Sequence, residues 1–201
     1  MSNRAAWHAL PFLQVLTRSF GQRPNMLAEN IASLQRQTDP DLFQTIIKDD
    51  VGRGVAWACR NLSTVIPDGQ YIWILDDDDL CICDTLVAEV KAIAYAHDPG
   101  VIFLRMDHGP LGILPDDAHW QRAPVEGHIG CSAFVVRRDV WIIYADWWSE
   151  RYAGDFDFIS AVYADPEVTH FWHDRIASRV QRRSMGAPEY AGQTGVRFGI
   201  G

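Results

Sequence analysis

In the first half of the chain, short apolar-rich runs alternate with segments of helical period, and this alternation limits the possible folds more than any other feature. Phe12–Thr17, Phe43–Lys48, Tyr71–Leu75 and Val101–Met106 have the length and composition of buried strands. After Pro24, Leu27, Ile31 and Leu34 fall at i, i+4 and i+7, and Thr38-Asp39-Pro40 closes that helix. Gly52 and Gly54 make a turn before a short helix over Val55–Leu62. Asp84 is placed to cap a helix in which Leu86, Val90, Ile93 and Ala94 repeat with helical period. Strands and helices in strict alternation predict an α/β domain with a mostly parallel central sheet flanked by helices and right-handed crossovers.

The second half is less regular. Leu111–Val125 carries prolines and few periodic positions, which predicts a long loop. Gly130–Val136 reads as a strand, Asp139–Trp148 and Asp155–Tyr163 as helices, and Val168–Trp172 as a closing strand. With 201 residues the chain fits one domain. The expected organisation is a compact unit over 1–185, with a ligand-binding half (1–106) and a second half (107–185) for acceptor and catalysis. A glycine-rich tail (186–201) would be flexible or a lid.

Composition narrows the partners. There are 26 acidic and 18 basic side chains, a formal charge of -8, whereas nucleic-acid binders usually carry a basic footprint. No apolar run reaches membrane-spanning length: Ala133–Ala145 is broken by Arg137, Arg138 and Asp139. Residues 1–10 lack the apolar core of a signal peptide, and Cys59, Cys81, Cys83 and Cys131 show no disulfide framework. The expectation is a cytoplasmic protein with reduced thiols.

In parallel sheets ligands sit at the carboxyl ends of strands. There the sequence places Thr17, Asp49-Asp50 and the four aspartates Asp76–Asp79. Carboxylates this close repel one another, so one stays protonated or the group takes a cation. Oxygen ligands suit Mg2+ or Mn2+, which keep coordination positions for phosphates. A calcium-binding EF-hand loop does not fit, because Leu80 and Cys81 stand where an oxygen ligand and a glycine are needed. A haloacid-type phosphatase, with Asp76 as nucleophile and Asp78 as acid, fits only in part. Lys91 is the one lysine after the run, and it falls within a helix pattern.

Tyr-Ile-Trp-Ile-Leu-Asp-Asp-Asp-Asp (71–79) resembles the Asp-x-Asp strand of family 2 inverting glycosyltransferases, which have the GT-A fold. Leu13–Phe20 is similar to the family's opening strand. Asn25–Thr38 is similar to the next helix with its Gln-Thr ending, and Ile46–Gly52 to its Asp-Asp strand end. Cys131–Arg138 resembles the strand before the catalytic region, and Gly154-Asp155-Phe156-Asp157 the Glu-Asp motif at a helix start. The resemblance implies transfer of a sugar from a nucleotide diphosphate sugar, UDP-linked by preference, to an unidentified acceptor, whether glycan, protein, lipid or nucleic acid. Thr17 and Asp50 would contact the nucleobase and ribose, with Asp49 and Arg18 beside them. Asp76 and Asp77 would face the nucleotide sugar, and Asp78 with Asp76 would hold Mn2+ or Mg2+. Asp155 would be the catalytic base, with Asp157 as the alternative because Gly154 replaces the usual acid. The family's Ala-Arg-Asn element occurs one residue late, as Ala58-Cys59-Arg60-Asn61, which leaves the part of Arg60 open.

Further residues complete the expected site. Arg53, between two glycines, could pair with a diphosphate. His173, or alternatively His170, would complete the metal site by resemblance to late histidines in the family. Arg175, Arg179, Arg182 and Arg183 share roughly one helix face that could meet an anion. Cys81-x-Cys83 lacks the second pair that zinc sites show. Tryptophans 120, 141, 147, 148 and 172 lie in the acceptor half, where flat rings suit sugars. So small an acceptor half also suits a homodimer that supplies a missing wall. Two other readings remain: a nucleotidyltransferase-like enzyme, and a non-catalytic nucleotide- or metal-binding module on the same fold.

Overall fold

A computed structural model describes residues 9–21 and 23–181. Elements run β1 (Leu13–Ser19), α1 (Pro24–Leu34), β2 (Leu42–Lys48), α2 (Val55–Asn61), β3 (Tyr71–Ile74), β4 (Asp79–Cys81), α3 (Leu86–His97) and β5 (Val101–Asp107). Then follow β6 (Ile113–Leu114), β7 (Phe134–Arg137), α4 (Arg138–Tyr144), α5 (Gly154–Ala164) and β8 (His170–Val180). The α/β class and the flanking helices are as the alternation predicts. Asp84 is not the cap of α3: Thr85 holds that position, and Asp84 faces Arg36 at 3.3 Å.

One sheet has the order β2-β1-β3-β7-β5-β8-β4, with β6 on β5. It is mixed rather than mostly parallel. β1 pairs in parallel with β2 and β3, and β5 with β8. However, β7 enters antiparallel between β3 and β5, and β4 lies antiparallel on β8. The chain returns through the 115–133 segment before forming β7, so that strand arrives from the far end. Successive strands of a βαβ series would all have run the same way.

Both sheet faces are covered, which explains why β3 is buried at every position. Ile72 and Ile74 meet Trp141, Trp148, Phe158 and Val162 on one side. Tyr71 and Trp73 meet Leu86, Val87 and Val90 on the other. The polar tips carried by β3 are satisfied: Trp73 Nε1 donates to Ser132 O at 3.0 Å and Tyr71 Oη to Pro99 O at 2.9 Å. Among the described residues no helix is long and apolar enough to cross a membrane. The tail over 186–201, with Arg182 and Arg183, lies outside the described residues.

Candidate active site

The aspartate run folds as a tight turn between β3 and β4, closed by Asp79 N–H donating to Asp76 O at 2.9 Å. Its backbone is held from α1. The amide of fully buried Asn30 donates to Asp76 O at 2.8 Å and to Asp79 O at 2.9 Å. Four carboxylates are thereby folded into one corner, and two arginines neutralise them. Arg18 lies in β1 beside the end of β3 and forks onto Asp76, with Nε at 2.7 Å and Nη2 at 2.5 Å. Arg23, just before α1, reaches Asp77 and Asp78, each at 2.5 Å. The repulsion expected from the sequence is thus partly cancelled by protein cations.

The remainder shows in the proton affinities. Burial pushes Asp77 up to about 6 against the pull of Arg23. Asp78 is raised by burial, with Arg23 opposing and Asp76 adding to the shift. Asp79 is raised well above the carboxylate range by burial and by the charges of Asp78 and Asp76. Asp76 and Asp78 keep 17% and 25% of their side chains open, whereas Asp77 keeps none. Oxygens of Asp76 and Asp79 and the Cys131 thiol lie within 4.8 Å of one another; the carboxylates suit a hard divalent cation, and the thiol does not.

Asp155, in the first turn of α5, faces the same corner. Burial pushes its carboxyl up to about 6, opposed by the Arg18 charge and the Phe156 amide and reinforced by Asp76. Asp157 points elsewhere. It forks onto Arg151 at 2.6 and 2.5 Å, bonds Ser149, and is held below the usual range by the Arg151 hydrogen bonds above all. Two positions apart on a helix cannot share a face. Gly154 has a packing reason to lack a side chain, since a Cβ there would sit 2.8 Å from Ser149 O and 2.9 Å from Cys59 Cβ. Gly154→Ala is expected to cost about 1–3 kcal/mol and to displace Asp155, seen as a lower denaturant midpoint together with reduced activity.

Other expected site residues are placed differently. Thr17 is fully buried and its hydroxyl accepts from Gln44 at 2.7 Å. Strand alternation turns it away from the side that Arg18 faces. Asp49 is also buried; Gly54 N–H donates to it at 2.8 Å, and it braces the 50–54 turn. Asp50 at the same strand end is exposed, and Arg53 lies over the Trp57 ring at 4.1 Å. Arg60 donates to the carbonyls of Asp146 and Trp148, tying α2 to that segment.

The structure does not bring His173 to the aspartates. Its Nε2 sits 2.6 Å from Glu89, seven residues up β8 from the end that meets the aspartate turn, roughly 20 Å away. Burial raises Glu89, but hydrogen bonds from Thr85, His173 and Arg175 outweigh this and bring it down to about 2. His170 stacks on Tyr163, farther off still. Arg175 and Arg179 lie on β8, not on a helix face, and pair with Glu89 and Asp107.

Sequence reasoning missed four contributors. Arg23 had a signal, because four clustered carboxylates demand cations and it stands next to Pro24, which opens α1. Cys59 and Cys131 accept from Arg18 at 2.9 and 3.4 Å, and burial raises both thiols. Tyr152 feels the charges of Asp155 and Asp78. Their convergence is tertiary and leaves no local pattern.

The fold, an open mixed α/β sheet flanked by helices, is similar to that of solved glycosyltransferases. The chain is similar to residues 1–349 of TarS from S. aureus, solved in complex with UDP-GlcNAc (TM-score 0.64, 11% identity, 90% of this chain). It spans 61% of that chain, less than two thirds of its length. It is also similar to the mannosyltransferase PcManGT from Pyrobaculum calidifontis in complex with GDP-Man and Mn2+ (TM-score 0.55, 16% identity, 85% of this chain and 56% of that one). A glycosyltransferase involved in glycosylation of the major capsid of PBCV-1 matches at TM-score 0.52 and 12% identity, over 85% of this chain and 92% of that one. No family model and no curated protein matches the sequence.

Proposed function

We propose that the chain is an inverting glycosyltransferase of the family 2, Asp-x-Asp type. It would move a sugar from a nucleotide diphosphate donor, UDP-linked by preference, to an acceptor hydroxyl. The observation that carries this reading is the meeting of Asp155, its carboxyl at about 6, with the arginine-braced aspartate turn at the carboxyl ends of β1 and β3. In the reaction Asp155 takes the acceptor's proton as the acceptor oxygen bonds the anomeric carbon. The bond from that carbon to phosphate breaks on the opposite face, and its electron pair leaves with the diphosphate. Asp76 and Asp78 would hold Mn2+ or Mg2+, which supplies positive charge to the leaving diphosphate. Arg18 and Arg23 fix those carboxylates for that task. The exposed ring of Tyr152, near Asp155, offers a face for an acceptor sugar. A second copy of the chain could complete that wall.

Asp50 supports the nucleobase preference: its exposed carboxylate only accepts, and uracil presents an N–H where adenine presents an acceptor. In a thermal-shift series with Mn2+, UDP-sugars are expected to raise the melting temperature more than ADP-sugars. Release of free UDP should accompany this. Binding without release would favour the non-catalytic module, and no shift with any nucleotide sugar would remove both readings.

A further inference from the structure

Away from the aspartate turn, the long connection between β6 and β7 gathers a second set of metal-binding side chains. Asp116 opens a turn in which His119 N–H and Trp120 N–H donate to Asp116 O at 3.1 and 2.8 Å. This brings His119 Nδ1 to 2.6 Å from Asp116 Oδ1. Nine residues later, a turn ending in His128 N–H to Val125 O at 3.0 Å returns the second imidazole. The two rings stack with centroids 3.9 Å apart. His128 Nδ1 is enclosed and has no hydrogen-bond partner among the described residues. It points at Asp116 Oδ2 across 3.7 Å, beyond hydrogen-bond reach.

We propose that Asp116, His119 and His128 form a cation site for a divalent transition ion of the Zn2+ class, separate from the donor site. All three ligand atoms lie within 4.8 Å of one another. A tetrahedral ion with bonds of about 2.0–2.1 Å holds its ligands roughly 3.3 Å apart; His119 Nδ1 lies 2.6 Å from Asp116 Oδ1 and His128 Nδ1 3.7 Å from Asp116 Oδ2, so a small turn of the carboxylate presents one oxygen between the two imidazoles. Two imidazoles and one carboxylate suit Zn2+ and its neighbours better than Mg2+, and they leave a position for water. On binding, the proton between Asp116 and His119 Nδ1 leaves for solvent or Nε2, and the ion takes its place. A hydrogen-bonded His–Asp pair alone would account for His119 but not for an enclosed, unpartnered His128 nitrogen aimed at the same carboxylate.

The ion would pin a segment that otherwise has little regular structure. That segment carries Glu126, which pairs with Arg151 and through it with Asp157 on α5, and it ends at Cys131 beside Arg18. The test uses full-length, chelator-treated protein with Zn2+ alone and Co2+ alone. Expected results are about one equivalent taken up and a tetrahedral Co2+ absorption without a thiolate charge-transfer band. Asp78→Asn should retain both, and the His119→Gln/His128→Gln pair should lose both. Zn2+ should also slow tryptic cleavage at exposed Arg122 in the wild type and not in the histidine pair. No stoichiometric uptake, a thiolate band placing the ion at Cys131, loss in Asp78→Asn, or retention in the histidine pair would each overturn the site. If the pair does not fold, the wild-type Co2+ spectrum decides the matter.

Discussion

Asp155→Asn is expected to lower sugar transfer by about two to four orders of magnitude while the donor still binds. Asparagine keeps the size of the side chain and can still accept from the Phe156 amide, which Asp155 meets at 2.9 Å. What it cannot do is take a proton. Because the base must be ionised, kcat/KM in the wild type should rise with pH through about 6 and level off above it. Stability should move the other way. A carboxyl raised from 3.8 to about 6 on folding favours the native state below 3.8, and that contribution disappears as pH rises through about 6. The asparagine variant should therefore be at least as stable as wild type at pH 7. Asp157→Asn makes the opposite prediction. It breaks the fork to Arg151 and so lowers stability at neutral pH, where the ionised pair contributes, with transfer little changed. Near-normal transfer in Asp155→Asn with loss in Asp157→Asn would reverse the assignment.

The second large effect concerns the aspartate turn. Asp78→Asn should abolish Mn2+-dependent donor binding and leave the fold intact. Arg23 keeps Asp77 at 2.5 Å, and removing one of the crowded carboxylates relieves repulsion. Asp76→Ala is a poorer probe although it touches the same site. It strips the buried Arg18 guanidinium of its carboxylate and leaves it two thiols. Stranding one partner of a buried ion pair costs about 3–5 kcal/mol, so lost activity there would be mixed with unfolding. Calorimetry of Mn2+ with UDP-sugar on the folded Asp78→Asn protein separates the two. Binding equal to wild type would remove Asp78 from the metal site.

Period and punctuation marked β1, β2, α2, β3 and β5 to within a residue or two and placed the starts of α1 and α3, because each is apolar on the face it buries; α1 ends at Leu34, short of the Thr38-Asp39-Pro40 expected to close it. Four strands were obscured for distinct reasons: β6, two residues long, falls in the stretch read as a loop. β4 is three residues long and begins at the last aspartate, so its pairing with β8 has no local signature. The direction of β7 depends on which end of the sheet the 115–133 segment reaches. Much of β8 is polar because its side chains meet Glu89, Asp107 and Asp174's partner Arg105, and arginines four apart fit a helix equally well. Within the site, the aspartates and Asp155 were visible as motif and strand end. Burial reassigned Thr17 and Asp49, and a competing carboxylate claimed His173.

The insertion of β7 between β3 and β5 bears on how the protein is made. While residues 1–107 emerge from the ribosome, β3 holds only β1, and β5 has none of its main neighbours. Both expose strand edges with apolar faces until residues 134–137, and then 170–180, are synthesised. Pairings over such separations form slowly, so the nascent chain carries unpaired strand edges and exposed apolar faces through that interval. The same geometry makes the amino-terminal half an unsuitable fragment to express alone, since the strand that closes its sheet lies in the other half.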